Sequence, residues 1–238
     1  MSRPFIRKLL RKLRLWNLAN FIRRKFTPLF LPAKPNLLIA VNKSFRWSLE
    51  RNLIQGTDYL EFGIFRGFTL WYAQALAQDM GIPDMRFFGF DSFQGLPALK
   101  GVDQKGGFRE GDFHSSRKEV EFFLNQQKTD WGKTFLVEGW FEKTLTPEAR
   151  KKYGLRRCSV CVIDCDLYES TRLVLEFIEP IIAEQSIILF DDWFDFGDDP
   201  KKGQQKAFFE FLERNRHIRH EPFVTARYDG QGFILQFK

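Results

Sequence analysis

Two short acidic clusters, Asp164-Cys165-Asp166 and Asp191-Asp192, are the residues best placed to do chemistry in this chain. Each ends an apolar run: Ser159-Val160-Cys161-Val162-Ile163 precedes the first and Ser186-Ile187-Ile188-Leu189-Phe190 the second. Crowded carboxylates repel one another, and a hard divalent cation with oxygen ligands relieves that repulsion. Apolar runs without alternation suit strands buried on both faces. Between them, Glu169-Ser170-Thr171-Arg172 opens a segment with Leu173, Val174, Phe177 and Ile178 at helical spacing, closed by Pro180. Such a β-α-β unit makes the strands parallel and brings both clusters to the carboxyl edge, where parallel sheets bind their ligands. The competing reading is that each cluster caps the next helix or is solvated in a loop; two clusters in one topology favour a site.

Upstream, Asp58-Tyr59-Leu60-Glu61-Phe62 reads as a strand running into a turn that contains Gly63 and Gly67, followed by a helix from Thr69 to Met80. A strand, glycine turn and helix allow close backbone approach to a ligand and present free N–H groups to an anion, although simple packing explains such a turn equally well. Arg86-Phe87-Phe88-Gly89-Phe90 is a second strand ending in Asp91, where such folds hold ribose hydroxyls; the alternative is a helix cap. Gly101 to Gly111, with Lys100, Lys105 and Arg109, reads as a surface loop or a lid. His114 follows it, and Ser115 or Ser116 can cap a helix through Val120, Phe123 and Leu124.

The charge is unevenly spread. Of 37 basic and 30 acidic residues, 12 basic and no acidic ones fall before Glu50, so the remainder carries a net −5 within a total of +7. The basicity belongs to an appendage, residues 1–34, in which Phe5, Ile6, Leu9, Leu10, Leu13 and Trp16 share one helical face opposite Arg3, Arg7, Lys8, Arg11 and Arg14. This arm suits packing on the domain or a homodimer partner, peripheral contact with an anionic membrane, or nucleic acid; the last is disfavoured because no aromatic-interleaved basic groove accompanies it. No apolar run is long enough to span a bilayer, and the first residues carry too many charges for a signal peptide. Cys158, Cys161 and Cys165 read as reduced core residues of a cytoplasmic protein, with odd spacing turning them to opposite faces.

The remaining elements complete an α/β domain over 35–238. A helix is expected over Leu37 to Ile54, a third strand over Thr134 to Val137, and a helix from about Lys202 to Arg214. Val224 to Tyr228 and Phe233 to Phe237 flank Asp229-Gly230-Gln231-Gly232 as a hairpin. The sum is a Rossmann-like sandwich of about seven strands with a C-terminal antiparallel hairpin.

Five segments together resemble the class I S-adenosylmethionine-dependent methyltransferases, and within them the macrocin O-methyltransferase family, whose members methylate sugar hydroxyls of macrolides. They are Glu61-Phe62-Gly63-Ile64-Phe65-Arg66-Gly67, Phe90-Asp91-Ser92-Phe93-Gln94-Gly95-Leu96-Pro97, Glu138-Gly139-Trp140-Phe141, Asp164-Cys165-Asp166-Leu167-Tyr168-Glu169-Ser170-Thr171, and Asp191-Asp192-Trp193. The resemblance implies a Mg²⁺ site at Asp164, Asp191 and Asp192. It also implies S-adenosyl-L-methionine held by Glu61, Gly63, Gly67, Thr69, Asp91 and Ser92, with Gly139, Trp140 and Phe141 near the adenine. The family's usual basic residue before Gly-Trp-Phe is Glu138 here.

On this reading the acceptor is a sugar-containing small molecule or a lipid-linked glycan, and its hydroxyl loses a proton to a base, for which His114 is the candidate; Asp164 counts with it as catalytic, as one of the metal ligands. Two rivals stand beside it. One is a scaffold protein that kept the fold without the chemistry, against which the intact acids argue. The other is a nucleic-acid methyltransferase, against which stands Asp164-Cys165-Asp166-Leu167 where an Asn/Asp-Pro-Pro-aromatic signature would serve amino groups.

Overall fold

The computed structural model describes residues 35–105, 107–226 and 230–238. Its centre is a sheet of seven strands: β1 (Asp58–Phe62), β2 (Arg86–Asp91), β3 (Thr134–Glu138), β4 (Cys158–Ile163), β5 (Ile182–Phe190), β6 (Ile218–Ala226) and β7 (Gly230–Phe237). They lie in the order β3-β2-β1-β4-β5-β7-β6, parallel except for β7, which runs antiparallel to both its neighbours. β4 is buried along its whole length, as its unalternating apolar run requires, and β1 is equally buried although it carries Asp58 and Glu61.

Helices cover both faces. On one, α1 (Pro35–Glu50) lays Leu37, Ala40, Val41 and Phe45 against Tyr59, Val160 and Ile187, together with α2 (Phe68–Asp79) and α3 (Arg117–Gln126). On the other, α6 (Tyr168–Ile178) and α7 (Gly203–Arg214) bury Val174, Phe177, Phe208 and Phe211 against Phe62, Phe90 and Phe190. Two short helices, α4 (Phe141–Thr144) and α5 (Pro147–Tyr153), lead into β4. Each fully buried Phe contributes about 2–3 kcal/mol of transfer free energy, so these aromatic layers fix the relative positions of the strand ends above them.

The elements depart from the sequence expectations in three places. α1 runs from Pro35 to Glu50, starting two residues before and ending four before the expected Leu37 to Ile54, with a proline at its first position where no helical N–H is needed. β6 begins at Ile218, six residues before the Val224 expected of it, because exposed Arg219, His220 and Glu221 on an edge strand hide the apolar signal. Cys158 and Cys161 lie in the same core layer instead of on opposite faces, since the pairing of β4 slips between Cys158 and Val160. That irregularity inserts one residue and restores the face. All three cysteines are buried and free.

At the amino end of the sheet, fully buried Asp58 accepts bonds from Arg86 Nε and Nη2 at 2.9 and 2.8 Å and from Arg156 N and Nε at 2.7 and 3.1 Å. The carboxyl end, by contrast, gathers several carboxylates at one place. Residues 1–34, including the proposed basic helix, lie outside the described residues, as does the turn at 227–229. Among the described residues no helix is long and apolar enough to cross a membrane.

Candidate active site at the carboxyl edge

The first acidic residue of each cluster follows directly on its strand. Asp164 N donates to Phe62 O at 2.9 Å and Asp191 N to Ile163 O at 3.1 Å, so the ladder continues just far enough to set β1, β4 and β5 side by side at this edge. Asp164, Asp191 and Asp192 converge as expected, each offering a carboxylate oxygen within 4.8 Å of the others. Asp191 and Asp192 are buried, and Asp164 is half-buried. Three anionic oxygens at this spacing, without an imidazole in the set, fit a hard cation such as Mg²⁺. No cysteine joins this set; the neighbouring Cys165 thiol is raised well above its ordinary pKa by burial, with its Thr171 contact opposing and the surrounding acids adding to the shift.

Asp166 turns out of the line of β4. Its backbone takes φ +60°, its N–H donates to Asp192 Oδ2 at 3.0 Å, and its carboxylate meets those of Asp192 and Asp195. The start of α6 is capped from elsewhere. Buried Asp103, in a 3-10 turn at Gly101–Lys105, accepts from Tyr168 N at 2.8 Å and Glu169 N at 3.2 Å. The 101–111 segment is therefore anchored: Leu96 N and Gly111 N exchange bonds with Asp112 O and Leu96 O, and Phe108 is buried with Leu96 and Leu167.

The glycine turn is built as a close approach between strands. Gly63 has φ +84°, and a Cβ there would stand 2.0 Å from Asp164 O. Gly67, at φ +77°, opens α2 and would press a Cβ onto Val120 of α3. Both glycines thus serve the backbone geometry in the first instance and leave the N–H groups of the turn directed toward β2. There Asp91 receives them, Oδ2 accepting from Ile64 N at 2.9 Å and Phe65 N at 3.2 Å, with Oδ1 accepting from Phe93 N at 2.7 Å. Ser92 turns its hydroxyl into its own loop, donating to Gly95 O and accepting from Gln94 N. Thr69 sits half-buried in the first turn of α2.

Glu61 projects from β1 between these groups. It is 2% exposed, and its Oε2 accepts from Tyr59 Oη at 2.7 Å. Burial raises its carboxyl well above the usual range; the Tyr59 bond opposes the shift, and Asp164 and Asp91 reinforce it. Burial likewise raises Asp91, against the three backbone bonds and the charge of His114. His114 is exposed. His217 and His220 occupy exposed positions far along the chain.

Beyond β3, Gly139 takes φ +138° and donates to Asp91 O at 2.9 Å, tying the Gly-Trp-Phe segment to β2. Phe141 stands edge-on to Phe62 at 6.0 Å, partly within the core, and Trp140 is half-buried at the start of α4. Glu138, the departure from the family pattern, is exposed and pairs with Arg117 Nη1 of α3 at 3.2 Å.

The edge therefore combines two neighbouring features: a cradle of Glu61, the glycine turn, Asp91 and Gly139–Phe141, and an oxygen cage of three aspartates. Compared with known proteins, the chain matches the profile of the family described as Macrocin-O-methyltransferase (TylF) over residues 45–220. It is 28% identical over 159 residues to the 8-demethyl-8-(2,3-dimethoxy-alpha-L-rhamnosyl)-tetracenomycin-C 4'-O-methyltransferase of Streptomyces olivaceus, covering 63% of this chain and 59% of that one. It is 31% identical over 144 residues to the demethyldecarbamoylnovobiocin O-methyltransferase of Streptomyces niveus, covering 57% and 52%. The matched region thus spans between half and three-fifths of each of these curated relatives. In fold, the O-methyltransferase NovP superposes with a TM-score of 0.70 over 85% of this chain and 80% of that one, at 22% identity.

Proposed function

The chain belongs to the macrocin-O-methyltransferase (TylF) family, and from that premise we propose that it transfers a methyl group from S-adenosyl-L-methionine to a hydroxyl of a sugar-bearing acceptor, with Mg²⁺ at Asp164, Asp191 and Asp192. The observation that carries this reading is the meeting of those three carboxylates, within 4.8 Å of one another, beside the glycine turn. The relatives, both named as O-methyltransferases, one for a rhamnosyl compound, support the acceptor class.

When bound, the cofactor supplies a methyl on a sulfonium and the metal supplies a Lewis acid that makes a hydroxyl more acidic. The chain's residues divide the remaining work. Glu61 and Asp91 place carboxyl oxygens in the cradle beside the cation that the cofactor presents, and the turn from Gly63 to Gly67 lets its backbone come close. Ser92 and Thr69 shape that cradle, while Trp140 and Phe141 offer aromatic surface. Asp164 is the half-buried member of the triad, so it is the one that an incoming hydroxyl reaches first. The proton leaving that hydroxyl goes to the exposed imidazole of His114 or to Asp164. Residues 1–34 act as an accessory arm to the 35–238 domain, on a partner or an anionic membrane surface.

The test is direct. Purified protein is incubated with S-adenosylmethionine, Mg²⁺ and a panel of rhamnosylated or otherwise glycosylated natural products, and each acceptor is weighed by mass spectrometry. A gain of one methyl on a sugar hydroxyl is expected; binding of S-adenosylhomocysteine with no methylation of any sugar-bearing acceptor would set the acceptor class aside.

A further inference from the structure

Gln204, in the first turn of α7, is a side chain that the proposed chemistry leaves without a task. It is 1% exposed, and both ends of its amide are committed. Nε2 donates to Ile163 O at 3.0 Å, and Oε1 accepts from Asp192 N at 3.0 Å. Ile163 is the residue before Asp164, so one amide spans the end of β4 and the acidic pair that ends β5.

Its position explains why a glutamine is needed. Ile163 O already accepts from Asp191 N at 3.1 Å, and the amide supplies the second donor for that carbonyl. Asp192 N lies past the last β4–β5 pairing, Ile163 with Phe190, and the ladder gives it no acceptor. Each lost bond of this kind leaves a buried polar group to be desolvated without return. A carboxylate at this position would accept at both ends, and an aliphatic residue would satisfy neither. The geometry points to Gln204 as a positioning residue for the metal cage: it holds the backbones that carry Asp164 and Asp192 in one register. This inference rests on the proposed function, since it concerns the same three aspartates. Neighbouring Gln205 supplies a built-in comparison, being 4% exposed on the same turn but bonded to Trp193 O and Asp198 Oδ1 instead.

The experiment is titration of the full-length protein with Mn²⁺, read by electron paramagnetic resonance of the free ion, for wild type, Asp191→Asn, Gln204→Met and Gln205→Met. Affinity for S-adenosylhomocysteine is measured alongside. Residues that orient metal ligands typically change affinity about 10- to 100-fold when replaced. Gln204→Met should weaken Mn²⁺ binding by that factor with unchanged S-adenosylhomocysteine affinity, and Gln205→Met should weaken it by less than about threefold on the same scale. Should Gln204→Met fail to fold, Gln204→Asn takes its place: it keeps a buried amide one methylene too short to reach both strands, and the same loss is expected. Mn²⁺ binding that is abolished by Asp191→Asn but untouched by either Gln204 variant would overturn this inference alone. Equal losses for Gln204→Met and Gln205→Met would overturn it too, as general loosening of α7. Absence of Mn²⁺ binding in the wild type would overturn the metal reading and this inference with it.

Discussion

Replacing Asp103 by alanine should uncouple the loop at 101–105 from the acid-bearing segment at 164–167. Asp103 is buried and accepts two backbone N–H groups at the start of α6, from Tyr168 and Glu169. Loss of an N-terminal cap costs about 1–2 kcal/mol. A second buried donor left without an acceptor adds roughly 1–2 kcal/mol, since water can reach part of this turn. The sum, about 2–4 kcal/mol, corresponds to a fall in Tm of roughly 5–12 °C for a chain of this length. Asp103→Asn keeps an acceptor and should recover more than half of the loss. The pH dependence separates charge from shape. Burial raises the Asp103 carboxyl above its ordinary value, with the two backbone bonds opposing. A raised acid contributes stability that is complete below the unfolded-state pKa and is lost as pH rises through the folded-state one. The wild-type advantage over Asp103→Asn should therefore be largest in acid and shrink above the ordinary aspartate range. Denaturant unfolding of the three proteins from pH 3.5 to 7.5 measures this. An alanine variant within about 0.5 kcal/mol of wild type, the range of ordinary surface changes, would refute the cap.

Asp58→Ala should cost about 3 kcal/mol in denaturant unfolding, near the lower bound for breaking a buried pair because Arg86 and Arg156 keep some contact with solvent; methyl transfer by the fraction that remains folded should be unchanged. Gly63→Ala should yield little folded protein, judged by circular dichroism, since its Cβ would fall 2.0 Å from Asp164 O at a backbone of φ +84°. Partial burial lowers His220, whose ring lies edge-on to Phe208 and Phe233 at 5.6 Å. Stability should thus fall as pH drops through the histidine range, and His220→Gln should flatten that part of the profile. Asp91→Ala should weaken S-adenosylhomocysteine binding strongly in calorimetry, because it removes a carboxylate of the cradle and frees the N–H groups of Ile64 and Phe65.

The convergence of Asp164, Asp191 and Asp192 was legible because each follows an uninterrupted apolar run, and parallel topology sends both run ends to one edge. Asp91 and the glycine turn were legible for the same reason. What could not be read is the set of side chains whose partners are distant in sequence. Asp103 lies 65 residues from Tyr168, within a stretch whose glycines and lysines suggest a free loop. Gln204 reads as a polar residue on an amphipathic helix, and only the folded backbone reveals that it bridges β4 and β5. The partner of Glu138, Arg117, stands 21 residues earlier on α3. The burial of Cys158 and Cys161 in one layer needed an irregularity in β4 that strand periodicity alone does not announce.

The most direct test is methyl transfer to a sugar-bearing acceptor with and without chelator, paired with calorimetry of S-adenosylhomocysteine under the same conditions. The three-aspartate cage lies beside the cradle proposed for the cofactor, the two meeting where a Cβ on Gly63 would touch Asp164 O. Chelator should therefore abolish transfer, Mg²⁺ should restore it, Asp191→Asn should remain inactive at any Mg²⁺ concentration, and cofactor affinity should stay nearly constant throughout. Full transfer in chelator would contradict the account, leaving the aspartates a structural role and the chemistry to His114 unaided.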